Sequence, residues 1–186
     1  MSTRDIVYIA LFAAIVAALG VFPPIVLPLI GVPITAQSLG VMLAGSVLGA
    51  KRGGLAIVLF LVLLAIGVPI LAGGRGGFGV FLGPSGGFLF GWPIAAFVIG
   101  WMIERSWSRL DAWRGFAINV LGGIVVMYMF GVPWIAVVAE ISLWQAFIGV
   151  MGFLPGDVIK AAVAAFVAVT VKRSYPIIGQ AGTSRA

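Results

Sequence analysis

Six apolar runs follow one another along this chain, over about residues 6–22, 36–50, 54–68, 87–103, 116–132 and 156–171, with short turn sequences between them. A bilayer crossing needs about 20 apolar residues in a helix, and runs of this kind leave few other folds open. Soluble domains carry about 45–50% apolar and about 25% charged residues, whereas this chain of 186 residues has 62% and 9%, with a mean hydropathy of +1.24. The expectation is an all-α integral membrane protein of six transmembrane helices, one domain over residues 1–186, with no hydrophilic stretch long enough to fold apart from it. Several runs fall short of a full crossing, which predicts helices that stop early and leave a cavity. A further apolar piece, residues 133–154, carries Glu140 and Gln145. It suits a short rim helix before the last span, or a seventh span.

The charges choose between these and set the orientation. With six spans, Arg4, Lys51, Arg52, Arg105, Arg109, Arg114, Lys172, Arg173 and Arg185 fall on one side, Arg75 lies in an opposite loop and Lys160 is intramembrane. Cytoplasmic loops of membrane proteins carry the excess of Lys and Arg, so both termini are placed in the cytoplasm of a multi-pass protein of the inner, cytoplasmic membrane. A seventh span would move the last three basic residues outside, so the rim helix is preferred. Residues 1–22 read as a spanning helix and not as a cleaved signal, because one Arg and one Asp make a poor n-region. The net charge of +6 does not indicate nucleic acid, since the basic residues are scattered between apolar segments.

Punctuation on the outer side is regular. Gly31-Val32-Pro33, Gly67-Val68-Pro69 and Gly131-Val132-Pro133 each follow an outward-running span, and are expected to stop helices there. The loop over residues 69–87 is the second distinctive region. Nine glycines stand from Gly67 to Gly87, together with Phe78, Val80, Phe81 and Leu82, which argues against a solvated linker. Its Gly74-x-Gly76-x-x-Gly79 copies the dinucleotide fingerprint without the βαβ unit that gives the fingerprint meaning. Irregular backbone at membrane depth is tolerated where it lines a cavity, so the loop reads as a lid or wall over an outward-facing pocket.

Candidate chemistry is concentrated in Leu154-Pro155-Gly156-Asp157-Val158-Ile159-Lys160. Each charge costs about 2.5–3.5 kcal/mol at the centre of a membrane helix and is retained there mainly for function. Asp157 and Lys160 share a helix face, so they either form a simple salt bridge or receive a ligand that has both hydrogen-bond donors and an acceptor. Asp157 would take an N–H pair and Lys160 a carbonyl or carboxylate. In Thr35-Ala36-Gln37-Ser38, Gln37 could bind a ligand, or Thr35 or Ser38 could cap the second span. Trp92, Trp134, Trp144 and Tyr128 fit either interfacial belts or a stacking pocket, and Glu140 fits a pocket wall or the wet rim. Ala10, Ala14 and Ala18 form a small-residue face that lets another helix approach. There is no cysteine, no histidine, no phosphate-cradling Gly-Lys-Ser/Thr and no HExxH, so neither ATP hydrolysis nor a metal site is expected, and the chain reads as a binder or carrier without a cofactor.

Three segments together resemble the BioY family, the biotin-specific substrate-binding (S) components of energy-coupling-factor (ECF) vitamin transporters. They are Val32-Pro-Ile-Thr-Ala-Gln-Ser-Leu-Gly40, Ala72-Gly-Gly-Arg-Gly-Gly-Phe-Gly-Val-Phe-Leu-Gly-Pro-Ser-Gly-Gly87 and the Pro-Gly-Asp-x-x-Lys at residues 155–160. The resemblance runs over nearly the whole chain. It implies a six-helix S component that binds biotin near the outer face and is not an enzyme. Asp157 and Lys160 would contact the ureido ring, whose two N–H donors and carbonyl suit them. Gln37, Gly74, Arg75, Phe81 and Ser85 are the further candidates, with Arg75 either attracting the valerate carboxylate or lying at the loop surface. The face of Ala10, Ala14 and Ala18 would dock a transmembrane coupling subunit that carries two ATPases, in contact with membrane lipid and with a homo-oligomer left open. Competing readings are an S component for another vitamin, a structural membrane subunit, and an intramembrane enzyme with Asp157 as base.

Overall fold

The computed structural model describes residues 1–26, 30–175 and 177–178; Arg185, placed above among the basic residues of one side, lies outside them. The described chain is almost entirely helical. Helix α1 (Thr3–Leu19) starts with a capping box, in which Ser2 accepts from the Asp5 N–H while the Asp5 carboxylate accepts from the Ser2 N–H. A two-residue hairpin, β1 (Ile25–Val26) and β2 (Pro33–Ile34), follows with Ile25 opposite Ile34. Then come α2 (Gln37–Leu48), α3 (Ala50–Ala65) and α4 (Gly86–Arg105). Helices α5 (Ala112–Val120) and α6 (Met127–Val138) are joined through a π-helical segment, Leu121–Val126, into one rod. The short α7 (Leu143–Val150) passes through a 3₁₀ turn at Met151–Phe153 into α8 (Leu154–Ser174). Among the described residues, three helical stretches are long and apolar enough to cross a membrane: Gly86–Arg105, Ala112–Val138 and Leu143–Ser174.

Helix α2 is the centre of the bundle, packed against α1, α3, α4 and α8. Its twelve residues rise only about 18 Å, so it starts well inside the bundle and leaves space above its first turn. Glycine makes its packing close: a Cβ on Gly45 would stand 2.5 Å from the Ala96 carbonyl oxygen of α4. One buried polar contact lies deeper, where Ser46 Oγ donates to Asn119 Oδ1 at 3.0 Å and Asn119 Nδ2 donates to the Gly115 carbonyl at 2.8 Å. Both side chains are fully buried, so these bonds remove the large penalty of unpaired polar atoms in an apolar bundle.

The basic residues gather at one end. Arg52 pairs with Asp5 at 2.7 Å, Glu104 accepts from the Ala50 N–H at 2.9 Å, Lys172 donates to the Leu110 carbonyl at 3.3 Å, and Arg4 reaches Tyr175. The starts of α1 and α3 therefore meet the ends of α4 and α8 there. The turn between α2 and α3 is a single residue, Gly49 at φ +84°, so Lys51 and Arg52 stand in the first turn of α3. The apolar runs predict a loop over residues 51–53 instead.

Of the Gly-Val-Pro triplets, only that at Gly67, φ +105°, follows directly on a helix end, that of α3; Gly31, φ +63°, lies within the hairpin, well past the end of α1 at Leu19. The third, Gly131-Val132-Pro133, lies inside α6, which continues to Val138. Proline removes one N–H without ending a helix when the surrounding packing holds the rod, and Val132 and Ile135 on either side of it are buried. The apolar piece 133–154 is thus divided, its first six residues completing α6 and the rest forming the turn, α7 and the 3₁₀ segment.

Candidate functional site

At the end opposite the basic cluster, the space above α2 is a cavity of about 560 Å³, counting its open mouth. Val32, Pro33, Ile34 and Thr35 of the hairpin form one side, and Leu71, Arg75 and Ser85 of the loop between α3 and α4 form another. Phe88, Leu89 and Trp92 of α4, Met127 and Tyr128 of the α5–α6 rod, and Phe153 supply the apolar walls. Ser38, Asp157 and Lys160 complete the lining. Phe88 is the centre of an aromatic corner, edge-on to Tyr128 and to Phe153, each with centroids 6.1 Å apart.

The polar group of this cavity is one network. Pro155 suits the first turn of α8, and Asp157 falls in that turn, where a carboxylate is favoured by the free N–H groups and the helix dipole. Lys160 Nζ lies 2.9 Å from Asp157 Oδ1 and 2.9 Å from Ser38 Oγ, while Tyr128 donates its hydroxyl proton to Asp157 Oδ2 at 2.9 Å. Ser38 Oγ is 3.5 Å from Asp157 Oδ1, long for a hydrogen bond. The two charges are therefore salt-bridged and also line a cavity. Asp157 is only 6% exposed. An ionised carboxylate offers about four acceptor positions, so Asp157 retains room for further donors arriving through the cavity.

The other candidates are distributed unevenly. Ser85 and Arg75 line the cavity, and with Gly74 they also line a second depression on the outside of the loop, bounded by Gly31 and Pro84. Arg75 donates Nε to the Ala72 carbonyl at 3.1 Å and has no carboxylate partner among the described residues. Partial burial draws its guanidinium below the usual arginine pKa, and an incoming anion would offset that desolvation. Phe81 is buried beneath the loop between Phe78 and Phe90, off the cavity wall. Gln37 is also off the wall: it is fully buried, its Nε2 donates to the Val16 and Ile70 carbonyls at 3.0 and 2.9 Å, and its Oε1 accepts from the Ala72 N–H at 2.9 Å. Its amide is occupied by backbone, and it acts as a strut between α1, α2 and the loop.

Capping, the alternative considered for Thr35 and Ser38, does not occur. The residue before α2 is Ala36, no side chain caps it, and Thr35 and Ser38 turn to the cavity. The tryptophans divide in the same way. Trp92 lines the cavity, Trp144 is exposed, and Trp134 donates Nε1 to the Gly83 carbonyl at 2.9 Å, tying the glycine-rich loop to α6. Trp134→Phe is expected to lose about 1 kcal/mol, seen as a drop of a few degrees in the melting temperature of ligand-free protein. Glu140 stands exposed in the turn before α7 at φ +53°. Ala10, Ala14 and Ala18 are exposed on one face of α1, while Ala13 faces the core. Tyr128 and Ser38 were underestimated from sequence: 29 residues separate Tyr128 from the carboxylate it meets, and no local spacing reveals the pair.

An apolar helical bundle with a buried, hydrogen-bonded charge pair facing an aromatic-lined cavity at one end defines a helical membrane protein with a partly enclosed polar–apolar pocket. A family model described as "BioY family" matches residues 1–177, and the chain belongs to that family. The biotin transporter BioY of Rhizobium etli is 52% identical over 183 residues, covering 96% of this chain and 98% of that one. The biotin transporter BioY of Rhodobacter capsulatus is 48% identical, covering 93% and 95%. Among solved structures, the S-component for biotin from an ECF-type ABC transporter superposes with a TM-score of 0.90 at 32% identity, over 95% of this chain and 97% of that chain.

Proposed function

We propose that this chain is the biotin-binding S component of an ECF-type transporter, capturing biotin at the outer face of the membrane and delivering it to the cytoplasm. The observation that carries this is the pairing of Asp157 and Lys160 at an apolar, aromatic-walled cavity. A ureido ring has two N–H donors and a carbonyl: the carboxylate accepts from N–H, the ammonium donates to the carbonyl, and Tyr128 and Ser38 keep both groups oriented. The apolar bicycle and chain suit Phe88, Trp92, Met127 and Phe153. Arg75, at the mouth, suits a terminal carboxylate.

In this reading the whole chain is one S-component domain, a transporter subunit with no reaction of its own. Helices α1, α2, α3, α4, the α5–α6 rod and α8 are its six crossings, and α7, whose eight residues rise about 12 Å, lies on the rim. The basic end faces the cytoplasm with both termini, and the glycine-rich loop faces outward. The exposed face of Ala10, Ala14 and Ala18 docks the coupling subunit of the ECF module, whose ATPases supply the energy.

Calorimetry on the purified chain tests the ligand. Biotin is expected to bind one to one, and other water-soluble vitamins are expected to give no heat. Folded protein that ignores biotin but binds another vitamin would keep the S-component reading and overturn the ligand.

A further inference from the structure

Far from the cavity, a groove on the outside of the bundle runs between α3 and α4. Lys51, Gly54, Leu55 and Val58 line it from α3, and Pro93, Ile94 and Phe97 from α4. The helices are antiparallel, so the groove rises from Lys51 at the basic end to Val58 about 10 Å higher. It exists because Gly54 has no side chain: a Cβ there would lie 3.6 Å from Phe97 Cβ and 3.7 Å from the Pro93 carbonyl, and anything larger would fill the trough. Its walls are exposed, with Val58 and Ile94 each at 42% and Phe97 at 50%. Such a surface in a membrane protein faces hydrocarbon.

The polarity of the groove is what suggests an occupant. Lys51 is exposed and has no carboxylate or hydrogen-bond partner among the described residues, unlike its neighbour Arg52, which is paired with Asp5. On α4 the face of Phe97 continues through Trp101 to Arg105, whose guanidinium lies over the Trp101 ring at 4.2 Å. The apolar trough thus ends at Lys51, with Trp101 and Arg105 further along the same face of α4, while the Glu104 carboxylate at this end is engaged by the Ala50 N–H. We infer that this groove seats one anionic phospholipid of the adjoining leaflet, an acyl chain along Gly54 and Phe97 and its phosphate beside Lys51. Charge complementarity argues for the anionic headgroup, and the missing side chain at residue 54 for the chain's seat. The inference extends beyond the transport reading and holds whichever vitamin is bound.

Native mass spectrometry of the full chain, released from micelles doped with equal phosphatidylglycerol and phosphatidylcholine, reads this site. Wild type is expected to retain a single phosphatidylglycerol with about fivefold preference, the effect of one lysine at an anionic headgroup. Lys51→Gln is expected to bring the two lipids towards parity. Gly54→Leu is expected to remove the retained lipid, and Val58→Trp, at an exposed position, fills the same trough if Gly54→Leu does not fold. Equal retention of both lipids by wild type would overturn the proposal, as would a preference unchanged in Lys51→Gln. A lipid still retained by folded variants with the trough filled would also overturn it.

Discussion

Asp157→Asn is expected to lower biotin affinity on the order of a hundred- to a thousandfold in calorimetry, the range seen when one member of a buried charge pair is removed from a binding site. Asparagine keeps the size of the side chain but loses the charge, and it presents an N–H₂ where Tyr128 and an incoming ureido N–H both need an acceptor. It also leaves Lys160, largely shielded from water, facing only Ser38. Part of the lost affinity is then the penalty of an uncompensated ammonium. Tyr128→Phe separates the contributions: it keeps the charge pair and removes one bond to the carboxylate, with an expected loss of about tenfold. If Asp157→Asn binds biotin as wild type does, the salt bridge is a packing feature and the ligand is held elsewhere in the cavity.

Gln37→Leu is expected to act on stability first. The substitution removes one side chain and leaves three backbone groups without partners, the carbonyls of Val16 and Ile70 and the N–H of Ala72. Unsatisfied buried groups cost about 1–3 kcal/mol each, so a loss of several kcal/mol is expected even after partial relaxation. The site has little room to relax, because Gly20 already lets the Ile70 carbonyl approach so closely that a Cβ would stand 2.6 Å from it. A large drop in melting temperature of the ligand-free protein identifies Gln37 as a strut. An unchanged melting temperature with lost biotin binding would make it a ligand contact instead.

Much of this protein was legible before folding was considered. Membrane solvent demands apolar residues around a crossing helix, so the helical stretches stand out as composition; α4, the α5–α6 rod and α8 extend a few residues beyond their apolar runs, while α1, α2 and α3 end two or three residues before theirs do. The charge pair was legible for the same reason, since ionised side chains in an apolar run are rare and need an explanation. The error at Gly131-Val132-Pro133 came from reading turn residues locally, where neighbouring helices hold α6 straight through a proline. The backbone partners of Gln37 were not legible, because a polar residue near a pocket looks the same from sequence whether its amide meets a ligand or backbone.

The sequence by itself determined the class of protein, the basic end and the residues at which charge enters the apolar interior, because each of these follows from the energy of single residues in a given solvent. Tertiary structure alone decided which polar groups meet. Tyr128 reaches Asp157, Ser38 reaches Lys160, and Gln37 is turned away to the backbone. These partners are 29, 122 and 21 residues apart along the chain. Helix propensity and hydropathy act over a few residues, whereas the cavity is defined by how far α2 falls short of the hairpin and by which faces of α4, α6 and α8 pack around the gap. Those distances arise only when the whole bundle closes.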